Sequence, residues 1–263
     1  MKLLSAGLIL FCLQPGFAAD REPSQTEIDE IIRKFAAKES EFAKARENYT
    51  YRQTVRVQEM DGGGVIGGRH EMVSDIIFSG EGRRTERVVR APVSTLQRLQ
   101  LTPEDEQDLR NVQPFVLTSA DVDNYYVRYL GKETLDEIPC YAFSVKPKKM
   151  EPGKRYFAGL VYVDDRDLQI VKTYGRATGV LKKGSDQQFP KFETFREQVD
   201  GKFWFPTYTL ANDTLMFQNG PVPIRMTVKY EDYRQFKADV NIKFEDTEAK
   251  PEAKPTPAPP KKP

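Results

Sequence analysis

Apolar residues recur along this chain with two different periods. Over residues 24–46, Ile28, Ile31, Ile32, Phe35 and Phe42 fall on one stripe of a helix, with Asp29, Glu30, Arg33, Lys34 and Lys38 mostly off it. Ser24 followed three residues later by Glu27 makes a capping box, each side chain accepting from the other residue's backbone N–H. A lone helix with such a stripe must bury it against another element.

From Tyr49 the period changes to two. In YTYRQTVRVQ, Tyr49, Tyr51, Val55 and Val57 share one strand face, and Arg52, Thr54 and Arg56 share the other. Gly62–Gly64 and Gly67–Gly68 then read as a flexible connection, followed by a strand from Met72 to Phe78, a turn at 79–82 and a strand from Arg83 to Arg90. Thr102-Pro103-Glu104-Asp105-Glu106 breaks the alternation as a helix start, with an N-cap, Pro at the first position and acids at the positive end of the dipole; this short helix stops before Pro114. Strands resume at 125–131, 140–146, 157–163, 168–174, 191–199, 203–210 and 224–236, with Asp200-Gly201 as a two-residue hairpin turn. The sum is about nine to eleven strands in meander order, and antiparallel sheets of that size curl. The expected fold class is mainly β (α+β), with the N-terminal helix and the short middle helix covering one face or the mouth.

The segment FAGLVYVDDRDLQIVKTYG carries Asp164, Asp165 and Asp167 between two apolar runs. If Val163 and Leu168 close a four-residue loop, Val161 pairs with Ile170, Gly159 with Lys172 and Phe157 with Tyr174. The acids then sit at a hairpin tip, where Asp suits turn geometry. The competing reading is a Ca²⁺ site of clustered oxygens, but the EF-hand spacing and its distal Glu are missing. Val161, Val163, Leu168 and Ile170 form one apolar face, and Leu160, Tyr162 and Val171 make the other partly apolar. Both faces of this hairpin therefore have something to cover.

Charge and cysteine usage narrow the setting. The chain has 263 residues, 40 of them basic and 39 acidic, a balance that argues against nucleic-acid binding. Lys2, an apolar run from Leu3 to Leu13, a break at Gln14-Pro15-Gly16 and small residues at Gly16 and Ala18 have the layout of a secretory signal peptide over residues 1–18. Phe11 is too large for the residue that precedes a lipidated Cys12. The expected location is the periplasm, either soluble or peripherally associated with the envelope. Removal of the leader leaves Cys140 alone, without an internal disulfide. One folded domain is expected over 19–240. Residues 246–263, DTEAKPEAKPTPAPPKKP, lack apolar anchors and read as a disordered tail.

Chemistry-bearing residues are sparse. His70 is the only imidazole, and with one remaining Cys it cannot make a multi-His or Cys-rich metal site. Cys140 and His70 fall far apart in the strand order. No GxSxG, Walker or GxGxxG motif is present. Neither a cofactor nor a resident metal is expected, and an acid- or metal-dependent hydrolase is the remote alternative.

FAGLVYVD (157–164), DLQIVK (167–172), Phe192-Glu193, VDGKFWFP (199–206) and the hairpin around Gly131, IPCYAF (138–143) and Lys146-Pro147 resemble the core hairpins of outer-membrane lipoprotein-sorting proteins. These form the LolA-like superfamily, with the LolB acceptor and the RseB/MucB sensors. The resemblance covers roughly residues 24–236 and rests on scaffold positions rather than a catalytic signature. It implies a half-open curved antiparallel β-barrel with helices as a lid over an apolar cavity, used for acyl chains of lipoproteins or lipids. It also implies no enzymatic step. Candidates to line the cavity are Phe35 on the helix, Tyr51 and Val55, Tyr141 and Phe143, Leu160, Tyr162 and Val171, and Phe203 and Phe205. Sorting carriers use a strand arginine in the cavity to hold the lid closed; Arg52 and Arg56 lie on an early strand, and neither matches that position. The expected function is a monomeric periplasmic carrier of lipid or lipoprotein acyl chains. The alternative is an envelope sensor or scaffold that binds a membrane-protein partner on the same fold.

Overall fold

The computed structural model describes residues 21–78, 83–109, 113–181 and 188–236. The leader at 1–18, the turn at 79–82 and the tail at 246–263 lie outside them. Helix α1 spans Gln25–Arg46, with Ser24 and Glu27 forming the reciprocal capping box. Ten strands follow: β1 Tyr49–Met60, β2 Ile66–Phe78, β3 Arg84–Ser94, β4 Tyr125–Leu135, β5 Ile138–Pro147, β6 Tyr156–Asp164, β7 Ile170–Thr178, β8 Phe192–Gln198, β9 Trp204–Phe217 and β10 Gly220–Gln235. A five-residue helix, α2 (Pro103–Gln107), and a 3-10 turn at Val122–Asn124 interrupt the series between β3 and β4.

The strands make one antiparallel sheet in the order β3-β2-β1-β10-β9-β8-β7-β6-β5-β4. Every consecutive pair is joined except β3 and β4. The first strand instead pairs with the last, Val55 opposite Val228 and Val57 opposite Met226. The expected meander is thus broken once, and β3 and β4 become the two open edges of a half-barrel. The chain must travel from one edge to the other, and of that crossing residues 95–109 and 113–124 are described, lying over the concave face.

Alternation assigns the faces. Tyr49, Tyr51, Gln53, Val55, Val57 and Glu59 are all buried along the concave side of β1. On the convex side, Arg52 pairs with Asp75 (2.9 Å) and Arg56 with Glu71 (2.7 Å). Across the middle of the concave side the residues are small: Thr209 pairs with Thr194, Thr194 with Thr173, and Gly175 with Gly159. This leaves room for the layer above. Helix α1 covers one half, with Phe35 and Phe42 fully buried; its residues Ile28, Ile31 and Ile32 are partly buried against the same core. Each fully buried side chain of that size contributes about 1.5–3 kcal/mol.

Three local expectations are corrected. Gly67 and Gly68 belong to β2 and are not a flexible link. A Cβ on Gly68 would stand 2.6 Å from the Thr95 carbonyl oxygen, so glycine there admits the start of the crossing segment. The β6–β7 register places Val163 opposite Ile170, Gly159 opposite Gly175 and Phe157 opposite Ala177, not Val163 opposite Leu168. Its turn is longer because Asp164 Oδ1 accepts from the Arg166 and Asp167 amides, Asp167 Oδ1 accepts from the Gln169 amide, and Leu168 takes φ +57°. The Asp200-Gly201 connection is a five-residue loop from 199 to 203, since Asp200 Oδ1 accepts from the amides of both Lys202 and Phe203.

Gly159 and Gly175 face each other so closely that a Cβ on Gly175 would lie 2.4 Å from the Ala158 carbonyl oxygen and 2.7 Å from the Phe157 ring. Gly175→Ala is expected to cost about 1–3 kcal/mol, the usual range for overpacking, read as a lower urea midpoint. Gly62→Ala, with nothing within 4 Å of the new Cβ, serves as the neutral control.

Candidate binding cavity

Two covers lie on the concave face, and they are held differently. Helix α1 is fastened by a buried ion pair. Glu39 is fully buried and Arg196, on β8, is 4% exposed. Arg196 Nη1 donates to both Glu39 oxygens (3.1 and 3.2 Å), Nη2 donates to Glu39 Oε2 (3.2 Å) and to the Phe115 carbonyl, and the Ile170 amide donates to Glu39 Oε1 (3.2 Å). The guanidinium also stacks 4.9 Å over the Phe42 ring. Burial pushes the Glu39 carboxyl up and the Arg196 guanidinium down, and each is opposed by the partner's charge. The arginine that clamps the helix is therefore on β8, while Arg52 and Arg56 lie on the convex side. No local pattern marked Arg196: its partner is 157 residues away.

The second cover is the crossing segment. It is anchored at its start by Glu59, a buried carboxylate on the concave side of β1. Glu59 Oε1 accepts from three successive amides, Gln97 (3.1 Å), Arg98 (2.7 Å) and Leu99 (2.7 Å). Thr102 and Asp105 cap α2 reciprocally, the Thr102 amide donating to Asp105 Oδ2 (2.8 Å) and the Asp105 amide to Thr102 Oγ1 (3.2 Å). Further on, Thr194 Oγ1 donates to the Gln113 carbonyl (3.0 Å), and the Ser119 amide donates to Ser40 Oγ on α1 (2.9 Å), where the two covers meet.

Between this segment and the sheet lies a cavity of about 770 Å³. Its apolar wall comes from Val57, Ile224 and Met226 on the sheet, Leu215 and Phe217 at the end of β9, and Leu99, Leu101 and Leu109 on the crossing segment. Lys154, Arg155, Val180, Leu181, Gln188 and Pro190 close its other side. The volume falls within the roughly 300–1,000 Å³ of small-molecule sites.

None of the ten residues singled out in the sequence borders this cavity. Phe35 and Phe143 pack on each other beneath α1, ring centroids 5.3 Å apart, and Tyr129 joins them at 5.7 Å from Phe143. Phe203 and Phe205 pack with Phe42 and Tyr49 in a separate cluster. Tyr51 lies against Tyr233 (5.1 Å), Tyr141 lies 6.3 Å from Tyr129, and Val55 and Val171 are buried. Leu160 and Tyr162, half-buried, alternate with the concave Val161 and Val163 and face the convex side. Val57, one step along the face that holds Tyr51 and Val55, does line the cavity.

Candidate chemistry elsewhere is spent on structure. Asp167 Oδ2 accepts from the Trp204 indole N–H (2.8 Å), and its Oδ1 and the Asp164 carboxylate hold the β6–β7 turn. Burial, reinforced by the field of Asp164, pushes the Cys140 thiol up to about 12, so it stays protonated and unreactive at neutral pH. Six strands separate β5, which carries Cys140, from β2, which carries His70. Burial also lowers the pKa of His70. Among the described residues no group of three His, Cys, Asp or Glu is arranged to hold a metal ion, and no helix is long and apolar enough to cross a membrane.

No protein-family model matches the chain, and no curated protein does. Solved structures similar to it include a DUF1329 family protein from Desulfovibrio piger, 15% identical over 81% of this chain and 94% of that one, with a TM-score of 0.45. A LolA superfamily protein from Nitrosomonas europaea is 13% identical over 79% of this chain and 93% of that one, with a TM-score of 0.35. The complex of MucA and MucB from Pseudomonas aeruginosa supplies a chain 14% identical over 77% of this chain and 100% of that one, with a TM-score of 0.23. The LolA and MucB proteins are of the groups that the hairpin motifs resemble.

Two substitutions test the two covers separately. Glu39→Gln leaves Arg196 buried without its counter-charge and is expected to cost about 3–5 kcal/mol in denaturant unfolding. Glu59→Ala removes the acceptor of three amides. Hydrogen exchange at 97–99 should rise by about tenfold or more, because each bond to a charged group contributes about 1.5–3 kcal/mol, while the Thr173 amide in the sheet is unchanged.

Proposed function

We propose that this protein is a non-enzymatic carrier of the bacterial envelope that shields an acyl chain of a lipid or lipoprotein within its half-barrel. The observation that carries the reading is the cavity under the crossing segment, walled by leucines, valine, isoleucine, methionine and phenylalanine. Burying an acyl chain there contributes about 0.8 kcal/mol per methylene. A carrier needs this shelter and no covalent chemistry, which fits the structural use of Asp164 and Asp167 and the protonated Cys140 thiol. Export by the leader at 1–18 would deliver it to the periplasm.

A second reading is favoured by one feature, the open edge strand β3. Val88, Val89 and Val93 are 50%, 49% and 59% exposed there. An extended segment of an envelope partner could add to such an edge as a further strand. The two readings differ in what travels with the protein. Under the carrier reading, native mass spectrometry and lipid extraction of the purified full chain find bound acyl species, lost when Leu101 and Met226 are both changed to Asp. Acyl-free protein that also fails to take up added acyl chains would rule the carrier reading out.

A further inference from the structure

The cavity has polar groups in its lining as well as an apolar wall. Arg155 lines it with a side chain only 8% exposed, its guanidinium stacked 4.3 Å over the Phe189 ring. Its Nε lies 3.3 Å from Asp108 Oδ1, yet neither Nε nor Nη2 has a hydrogen-bond partner among the described residues. The other lining cations are engaged: Lys154 Nζ pairs with Glu151 (2.7 Å), and Arg98 Nη2 donates to the Pro221 carbonyl. Gln113, 3% exposed and also in the lining, leaves its Oε1 without a partner among the described residues. The Asp108 carboxylate supplies a counter-charge to Arg155, but buried donors and acceptors left without hydrogen bonds are costly.

We infer that the cavity is built for a single-chain amphiphile with a free carboxylate, a long-chain fatty acid, its head on Arg155 beside Gln113 and its chain along Leu99, Leu101, Leu109 and Met226. This rests on the carrier reading and names the class of its cargo. A carboxylate is planar and accepts from a guanidinium fork, filling the donors that Asp108 leaves open. A flip of the Gln113 side-chain amide would turn its nitrogen, a donor, to the same head. Asp105 and Asp108 also line the site, so a monoanion is repelled less there than a dianionic phosphate. Size admits one chain: if a methylene takes about the 30 Å³ that a water occupies in the liquid, sixteen carbons need roughly 480 Å³, within a cavity of about 770 Å³.

The test is displacement of the uncharged fluorophore N-phenyl-1-naphthylamine from the delipidated full chain at neutral pH, by palmitate, 1-hexadecanol and hexadecyl phosphate in turn. Palmitate is expected to bind about ten- to a hundredfold tighter than the alcohol, the yield of one charge-assisted contact, and tighter than the phosphate. In Arg155→Gln the acid should fall to within about twofold of the alcohol. If that variant does not fold, the comparison of acid with alcohol on the unaltered protein still decides. Equal binding of acid and alcohol, or tightest binding of the phosphate, overturns this inference and leaves the carrier reading standing. Failure of all three to bind overturns both.

Discussion

The Glu39–Arg196 pair is the point on which helix, sheet and crossing segment all depend. Its guanidinium sits on β8 near the middle of the sheet, its carboxylate comes from α1, and the Phe115 carbonyl of the crossing segment takes the remaining Nη2 donor. Such a pair is a weak source of net stability, because taking both charges out of water offsets most of their attraction. Its value lies in position. An apolar α1 stripe could slide along a greasy concave face, whereas a bidentate pair admits one placement.

That placement divides the concave face in two. Near the start of β1 and of β9 the helix fills the space, with Phe35, Phe42, Phe143 and Phe205 all fully buried there. Toward the other end the cover is a chain segment with a five-residue helix, pinned at Glu59 and near Thr194. Sparse cover over apolar strands is what leaves an open volume. The cargo would therefore lie away from the helix that the fold's appearance suggests as a lid.

What could be read in the sequence was what is decided locally. The capping box fixed the start of α1, and strict alternation in YTYRQTVRVQ assigned both faces of β1 correctly. The β6–β7 register was misread because the turn length is set by side chains, with Asp164 and Asp167 accepting backbone N–H groups and Leu168 turning left-handed. The pairing of β1 with β10 and the meeting of Glu39 with Arg196 are long-range, and no spacing encodes them. Phe143 and Phe205, two of the residues expected to line a cavity, are instead packed against Phe35 and Phe42 of α1. Leu99, Leu101 and Leu109, which do line the cavity, lie in a stretch whose broken β pattern hid its role as a wall.

The two unpaired edges bear on how such a vessel could be filled. In a closed barrel the circumference is set by its ladders, and widening it means breaking hydrogen bonds in every rung. Here β3 and β4 are not bonded to each other, so the gap between them can widen while each ladder stays whole. The resistance comes only from side-chain packing and from the strap that spans the gap. The sheet behaves as a spring clip rather than a ring, and a clip can grip chains of different girth with the same set of residues.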